Sequence, residues 1–207
     1  DGAALTADTE RLVISTAVEA DNPERVAAGR LKVPEAHRAE VLADFCGRGP
    51  LAAVAGTSGK TTCTGWLAWV LTECGLDPNM VNGAAVTAWR RPDAPGNVRL
   101  ADPSRWWVAE VDESDRSLLR FSPRVALINT VAADHFPLAE TEELFRSFAR
   151  RVTETIVCGP EVREVLEGDD GIRARLVEAG EPLETPLPGA HNARNAAAVR
   201  AMALACG

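Results

Sequence analysis

The residues best suited to chemistry lie in Ala55-Gly-Thr-Ser-Gly-Lys-Thr-Thr62. Gly56 and Gly59 let the backbone curl so that successive N–H groups face an anion, and a helix starting behind them adds its positive end. From that position Lys60 reaches the β- and γ-phosphate oxygens of a nucleotide, and the hydroxyl of Thr61 can ligate magnesium. Thr57, Ser58 and Thr62 complete the loop. The strict GxxxxGK[ST] pattern is not met, because Val54 stands where the first glycine belongs. A glycine turn capping a helix is the plainer explanation, but composition speaks against it: of 22 basic residues only Lys32 and Lys60 are lysines. A compact ammonium suits a point contact between phosphate oxygens better than the planar guanidinium that the chain uses elsewhere.

Three further groups carry chemical potential. Glu110, Asp112, Glu113 and Asp115 put four carboxylates within six residues, a repulsive density unless a cation or water screens it. Glu110, directly after the apolar run Trp106 to Ala109, reads as a magnesium ligand, whereas Glu113 and Asp115 read as a solvated acidic loop. His135 follows Asp134 after the run Val125 to Asn129 and could face the same loop as Glu110, although imidazole is an uncommon magnesium ligand. His37 reads as a surface helix residue. Asn192 and Asn195 lie three apart on one helical face beside His191, and their amides can read a base edge through paired donor and acceptor contacts. Capping of the helix by Asn192 competes with that role.

The elements that must position these groups follow from pattern. Arg11 to Thr16 has buried-strand character, and Asp21-Asn-Pro-Glu24 marks a helix start. Pro34 opens a second helical stretch with an apolar stripe of Val33, Ala36, Val41, Leu42 and Phe45, broken by Gly47-Arg-Gly-Pro50. Leu51 to Ala55, the loop Gly56 to Gly59 and Thr61 to Glu73 read as strand, glycine loop and helix, stopped by Gly75. Trp106 to Glu110, Val125 to Asn129 and Thr155 to Cys158 are further strands, Thr141 to Arg151 an amphipathic helix and His191 to Ala205 a closing helix. Alternating strands and helices predict an α/β fold with a mainly parallel sheet flanked by helices, in which ligands sit at the carboxyl ends of the strands.

Composition bounds the function. The 207 residues are 46% apolar and 25% charged, enough for one sizeable core and a small second lobe. Twenty-two basic against thirty acidic residues give a net charge of −8, which argues against a nucleic-acid surface. No apolar run approaches the length of a membrane span. Five scattered cysteines, never spaced as CxxC, suggest neither a disulfide framework nor a zinc site and fit a reducing cytoplasm. The chain starts at Asp1 rather than Met and ends in helical sequence, so a fragment of a longer protein is expected.

Taken together, the segments resemble the Mur ligases, ATP-dependent amide ligases of peptidoglycan synthesis. The resemblance runs from Ile14 to Cys206 in family order. Gly56 to Thr62 resembles the family's phosphate loop, Glu110-Val-Asp-Glu-Ser-Asp115 its EADESD segment, Ala133-Asp-His135 its Asp-His motif, and Pro188-Gly-Ala-His-Asn-Ala-Arg-Asn195 its PGxHNxxN segment. Ile14-Ser-Thr-Ala-Val18, Asp21-Asn-Pro-Glu24 and His37-Arg-Ala-Glu40 are most similar to the branch that joins L-alanine to UDP-N-acetylmuramate. The absence of any lysine after Lys60 fits that branch, because the sister ligases use a carbamylated lysine beyond the loop.

The resemblance implies a P-loop-type ATP-binding domain over 50–207, preceded over 1–49 by the tail of a Rossmann-like substrate-binding domain. It implies that ATP activates a carboxylate as an acyl phosphate, which an amine attacks to give an amide. Lys60 would then stabilise the transferred phosphoryl group, Thr61 and Glu110 would hold one Mg2+, His135 the second, and His191, Asn192 and Asn195 would face the adenine. Ser58 stands where the branch usually has His, Asn129-Thr130 inverts the family's Thr-Asn, and the segment from Phe136 to Pro188 is short for the branch. A Mur-like ligase acting on another carboxylate, or a nucleotide-binding module without catalysis, are the alternatives.

Overall fold

The structure, a computed structural model, describes Gly2 and residues 4–207. Contacts divide these into two units, one ending at Phe45 and one spanning Cys46–Gly207. In the first, strand β1 (Leu12–Ile14) leads through helix α1 (Pro23–Leu31) to strand β2 (Glu35–His37), and helix α2 (Arg38–Cys46) follows. β1 and β2 pair in parallel, Val13 opposite Ala36, so this is a β-α-β unit. Asn22 caps α1 by accepting from the Glu24 N–H at 2.9 Å, and Pro23 occupies the first turn, where its missing donor costs nothing. The helix expected from Pro34 begins four residues later, at Arg38. Glu35 to His37 are drawn into a strand because β1 offers a parallel partner, a tertiary contact that local periodicity does not register. His37 thus ends a strand and does not sit on a surface helix.

The second unit is built on a seven-stranded sheet: β3 (Leu51–Ala55), β4 (Asn79–Val81), β5 (Val98–Arg99), β6 (Trp107–Glu110), β7 (Val125–Ile128), β8 (Thr155–Cys158) and β9 (Arg175–Glu178). Their spatial order is β5-β4-β6-β3-β7-β8-β9, parallel except for the β4–β5 pair at the edge. The helices are α3 (Lys60–Glu73), α4 (Leu138–Ala149), α5 (Pro160–Leu166) and α6 (Ala190–Cys206). Every residue of β3 is buried, as is usual for the centre of a sheet covered on both faces. Ala52, Val54, Leu67, Met80, Leu127 and Met202 belong to the main core, which joins α3 and α6 to the central strands. Alanine fills eight of the 17 positions of α6, which lets this helix lie close to α3 and the sheet. No helix among the described residues is long and apolar enough to cross a membrane.

The strand order positions the site. β3 is flanked by β6 on one side and β7 on the other, with Val54 opposite Glu110 and Ala55 opposite Ile128. The chain winds outward in opposite directions from β3, so its carboxyl end lies at a topological switch point, where α/β sheets open a crevice for ligands. Into that crevice runs the turn from β3 to α3. It needs glycine at Gly56 and Gly59, whose φ values of 129° and 80° lie in the left-handed region. A Cβ on Gly59 would also sit 2.4 Å from Asn129 Nδ2 and 3.0 Å from Asn195 Oδ1.

Gly75, which ends α3 at φ 81°, has open space around it. Gly75→Ala should therefore lower stability by about 1 kcal/mol from backbone strain alone. Gly59→Ala should cost at least about 1 kcal/mol more, because the Asn129–Asn195 contact must also break; urea midpoints of the two variants compare them directly. Burial pushes the thiols of Cys46, Cys63 and Cys206 up to about 12 and that of Cys158 to about 11, whereas Cys74 is exposed. Native protein should accordingly release thionitrobenzoate from Ellman's reagent at one thiol rapidly, and at the other four only after unfolding.

Candidate active site

The phosphate loop leaves β3 at Gly56 and enters α3 at Lys60 without a side-chain cap, so the first turn of this 14-residue helix presents its N–H groups and its positive end to the crevice. The following loop, after β7, holds it in place. Thr57 N–H donates to the Thr130 carbonyl at 3.0 Å, Ser58 N–H to Thr130 Oγ1 at 2.9 Å, and the Thr57 and Thr130 hydroxyls meet at 3.0 Å. Asn129 Nδ2 donates to the Ser58 carbonyl and to Asn195 Oδ1, both at 3.0 Å. The inverted pair Asn129-Thr130 is thus the clamp of the phosphate loop, with Thr130 on its amino-terminal half and Asn129 joining it to α6.

Glu110, at the end of β6, is fixed from two sides. Thr61 Oγ1 donates to its Oε1 at 3.0 Å and Gly83 N–H to its Oε2 at 2.8 Å. A Cβ at Gly83 would lie 2.7 Å from Glu110 Oε2, so a larger residue there would have to displace the Glu110 carboxylate. The expected pairing of Thr61 with Glu110 is therefore present, and both offer hard oxygen donors that suit magnesium. His135 belongs to a second donor set: its ring nitrogen, a Glu113 oxygen and an Asp134 oxygen all fall within 4.8 Å of one another, close enough to hold a cation.

Glu113 corrects the sequence reading of a solvated acid: its side chain is only 2% exposed. The reason is Lys60, whose Nζ donates to Glu113 Oε2 at 2.8 Å and Oε1 at 3.1 Å, and to the Gly56 carbonyl at 2.9 Å. A carboxylate can leave water here because an ammonium meets it. Asp112 lies 3.8 Å from the same nitrogen. Burial acts to raise its carboxyl, but the Ser114 hydroxyl and N–H and the Lys60 ammonium outweigh that and hold it below the ordinary carboxylate range. Asp115 accepts from the Ser117 N–H at 2.9 Å, shaping the turn Ser117–Arg120.

Beside the loop a cleft of about 910 Å³ opens at the carboxyl ends of β7, β8 and β9. Ser58, Gly59, Asn129, Glu178, His191 and Asn195 are among its walls, and its size falls within the range of nucleotide and cofactor pockets. Of the three residues expected to face a base, His191 and Asn195 reach this cleft, whereas Asn192 donates its Nδ2 to the Pro188 carbonyl at 2.8 Å and gives α6 no side-chain cap, its N-cap residue being Gly189. Asn195 is nearly buried and already engaged by Asn129, so it ties the cleft to the loop. The roles of Glu113, Gly83 and Asn129 were not evident from residue types, because each depends on which strands are neighbours.

Residues 1–49 match the Mur ligase family, catalytic domain. UDP-N-acetylmuramate–L-alanine ligase from Thermosynechococcus vestitus is 35% identical across 93% of this chain, which spans 46% of that protein, so the chain has about half the length of the curated relatives it matches. Among solved structures, UDP-N-acetylmuramate:L-alanyl-γ-D-glutamyl-meso-diaminopimelate ligase from Neisseria meningitides superposes with a TM-score of 0.80 at 25% identity, covering 96% of this chain and 74% of that one. UDP-N-acetylmuramate–alanine ligase from Thermotoga maritima gives 0.76 at 26% identity, covering 94% of this chain and 50% of that one. The ordered motifs, the phosphate loop at the switch point of the sheet and these likenesses agree: the chain carries a match to a Mur ligase family domain and is similar along its length to Mur ligases.

Proposed function

We propose that this chain is the nucleotide-activating part of an ATP-dependent ligase that joins an amine to a carboxylate through an acyl phosphate, with UDP-N-acetylmuramate as the carboxylate and L-alanine as the amine. The observation that carries the reading is the convergence of Lys60, Thr61 and Glu110 at the open N-terminus of α3, beside a cleft of nucleoside size. On this reading residues 50–207 bind ATP and Mg2+, and residues 1–49 belong to the domain that receives the UDP-sugar. Adenosine occupies the cleft near His191 and Asn195, which directs the phosphates onto the loop Gly56 to Thr62.

The carboxylate oxygen attacks the γ-phosphorus, the bond to the β-phosphate oxygen breaks, and ADP leaves. The amine then attacks the acyl carbon and inorganic phosphate departs. The residues of this chain act mainly by position and charge. N–H groups at the start of α3 and Lys60 neutralise charge on the phosphoryl oxygens, and Thr61 and Glu110 hold one magnesium. Glu113, Asp134 and His135 offer a place for a second. Magnesium, when bound, neutralises charge on the β- and γ-phosphates. A cytoplasmic setting is in keeping with ATP and a UDP-sugar as substrates and with the free thiols.

The likeness to the Neisseria protein, whose name pairs UDP-N-acetylmuramate with a tripeptide, favours a second amine, L-alanyl-γ-D-glutamyl-meso-diaminopimelate. The full-length protein should release phosphate from ATP when given UDP-N-acetylmuramate with L-alanine, or with that tripeptide on the second reading. Lys60→Ala should reduce turnover by about a hundredfold or more. Absence of phosphate release with either amine and any UDP-muramyl acceptor would overturn the ligase reading.

A further inference from the structure

A lysine ammonium has three N–H donors, and at Lys60 the structure supplies three acceptors: Gly56 O at 2.9 Å, Glu113 Oε1 at 3.1 Å and Glu113 Oε2 at 2.8 Å. The two carboxylate oxygens lie in nearly one direction from Nζ and share a donor, so the ammonium is held between one carboxylate and one backbone carbonyl. Glu113 is itself almost fully buried, so the pair is a closed contact and not a solvated encounter. Glu113 also has another available partner. One of its carboxylate oxygens lies in the donor set with Asp134 and His135, whose ligand atoms are all within 4.8 Å of one another. The same carboxylate can therefore serve the ammonium or help hold a cation, and a divalent charge beside it competes directly with Lys60.

We propose that Glu113 is a positioning residue that keeps Lys60 from phosphate until a divalent cation, held with Asp134 and His135, draws its carboxylate away. Cation binding thereby releases the lysine, and the two events are coupled through one side chain. Asp112 Oδ1, 3.8 Å from Lys60 Nζ, gives the freed ammonium a weaker contact on its way into the crevice, while the Gly56 carbonyl keeps it at the loop. The flexible stem of lysine makes the change a movement of side chains, with the clamp of Asn129 and Thr130 undisturbed. The inference rests on the nucleotide reading for its purpose, but the release itself requires no nucleotide.

Lys32 and Lys60 are the only lysines in the chain, which makes the release measurable. The protein is treated with trinitrobenzenesulfonate, with and without magnesium chloride, and modification of each lysine is followed by peptide mass spectrometry. Without magnesium, Lys60 should react about tenfold or more slowly than exposed Lys32, because its ammonium is held by a buried counter-charge. Saturating magnesium should speed Lys60 several-fold and leave Lys32 unchanged. Glu113→Gln should react rapidly at Lys60 without magnesium and show no response to it. A magnesium-independent rate at Lys60 in the native protein overturns the proposal, without relying on the variant's folding. Titration with a non-hydrolysable ATP analogue separates the two readings. A magnesium response at Lys60 with no analogue binding leaves the release standing and removes the nucleotide reading. Analogue binding with equal affinity with and without magnesium removes the release and leaves the nucleotide reading.

Discussion

One ammonium stands among four carboxylates at the carboxyl end of the central strands. Lys60 touches Glu113 and lies near Asp112, while Glu110 is held by Thr61 one residue along, and an Asp134 oxygen comes within 4.8 Å of one from Glu113. Such an excess of negative charge is unfavourable in a partly dry crevice, and the arrangement around it serves to distribute that charge. Ser114 donates to Asp112, Gly83 and Thr61 donate to Glu110, and α3 points its positive end at the same space. The negative charge that remains is what a cation would neutralise on the proposed reading.

This charge balance depends on the sheet. Glu110 faces the loop because Val54 and Glu110 are in register, and Asn129 reaches it because β7 flanks β3 on the other side. A shift of one residue in either pairing would turn the reactive side chains to the opposite face. The buried residues of β3 and the core beneath α3 and α6 thus fix the chemistry indirectly, by preventing that shift.

Much of this was legible in the chain. A glycine loop between an apolar run and a helix marks both β3 and the start of α3, and the association of Thr61 with Glu110 is what the family resemblance implied. Short or exposed elements were not legible: β4, β5, β9 and α5 have only two to seven residues each and take their form from neighbours. Glu113 was misread for a related reason. An acid in an acidic run has no local sign of burial, and its counter-charge lies 53 residues away in sequence. Asn129 and Asn195, 66 residues apart, meet only because α6 returns across the sheet beside β7.

The α6 wall of the cleft has a thermodynamic consequence for what it can hold. Ala198 has no side-chain rotamers to lose when a ligand covers it, so that part of the wall is ordered at no entropic cost. Asn195, fastened to Asn129, has already surrendered its freedom. His191 and Arg194 are the remaining α6 side chains in the cleft with conformational latitude, and discrimination among ligands along this wall falls chiefly to them.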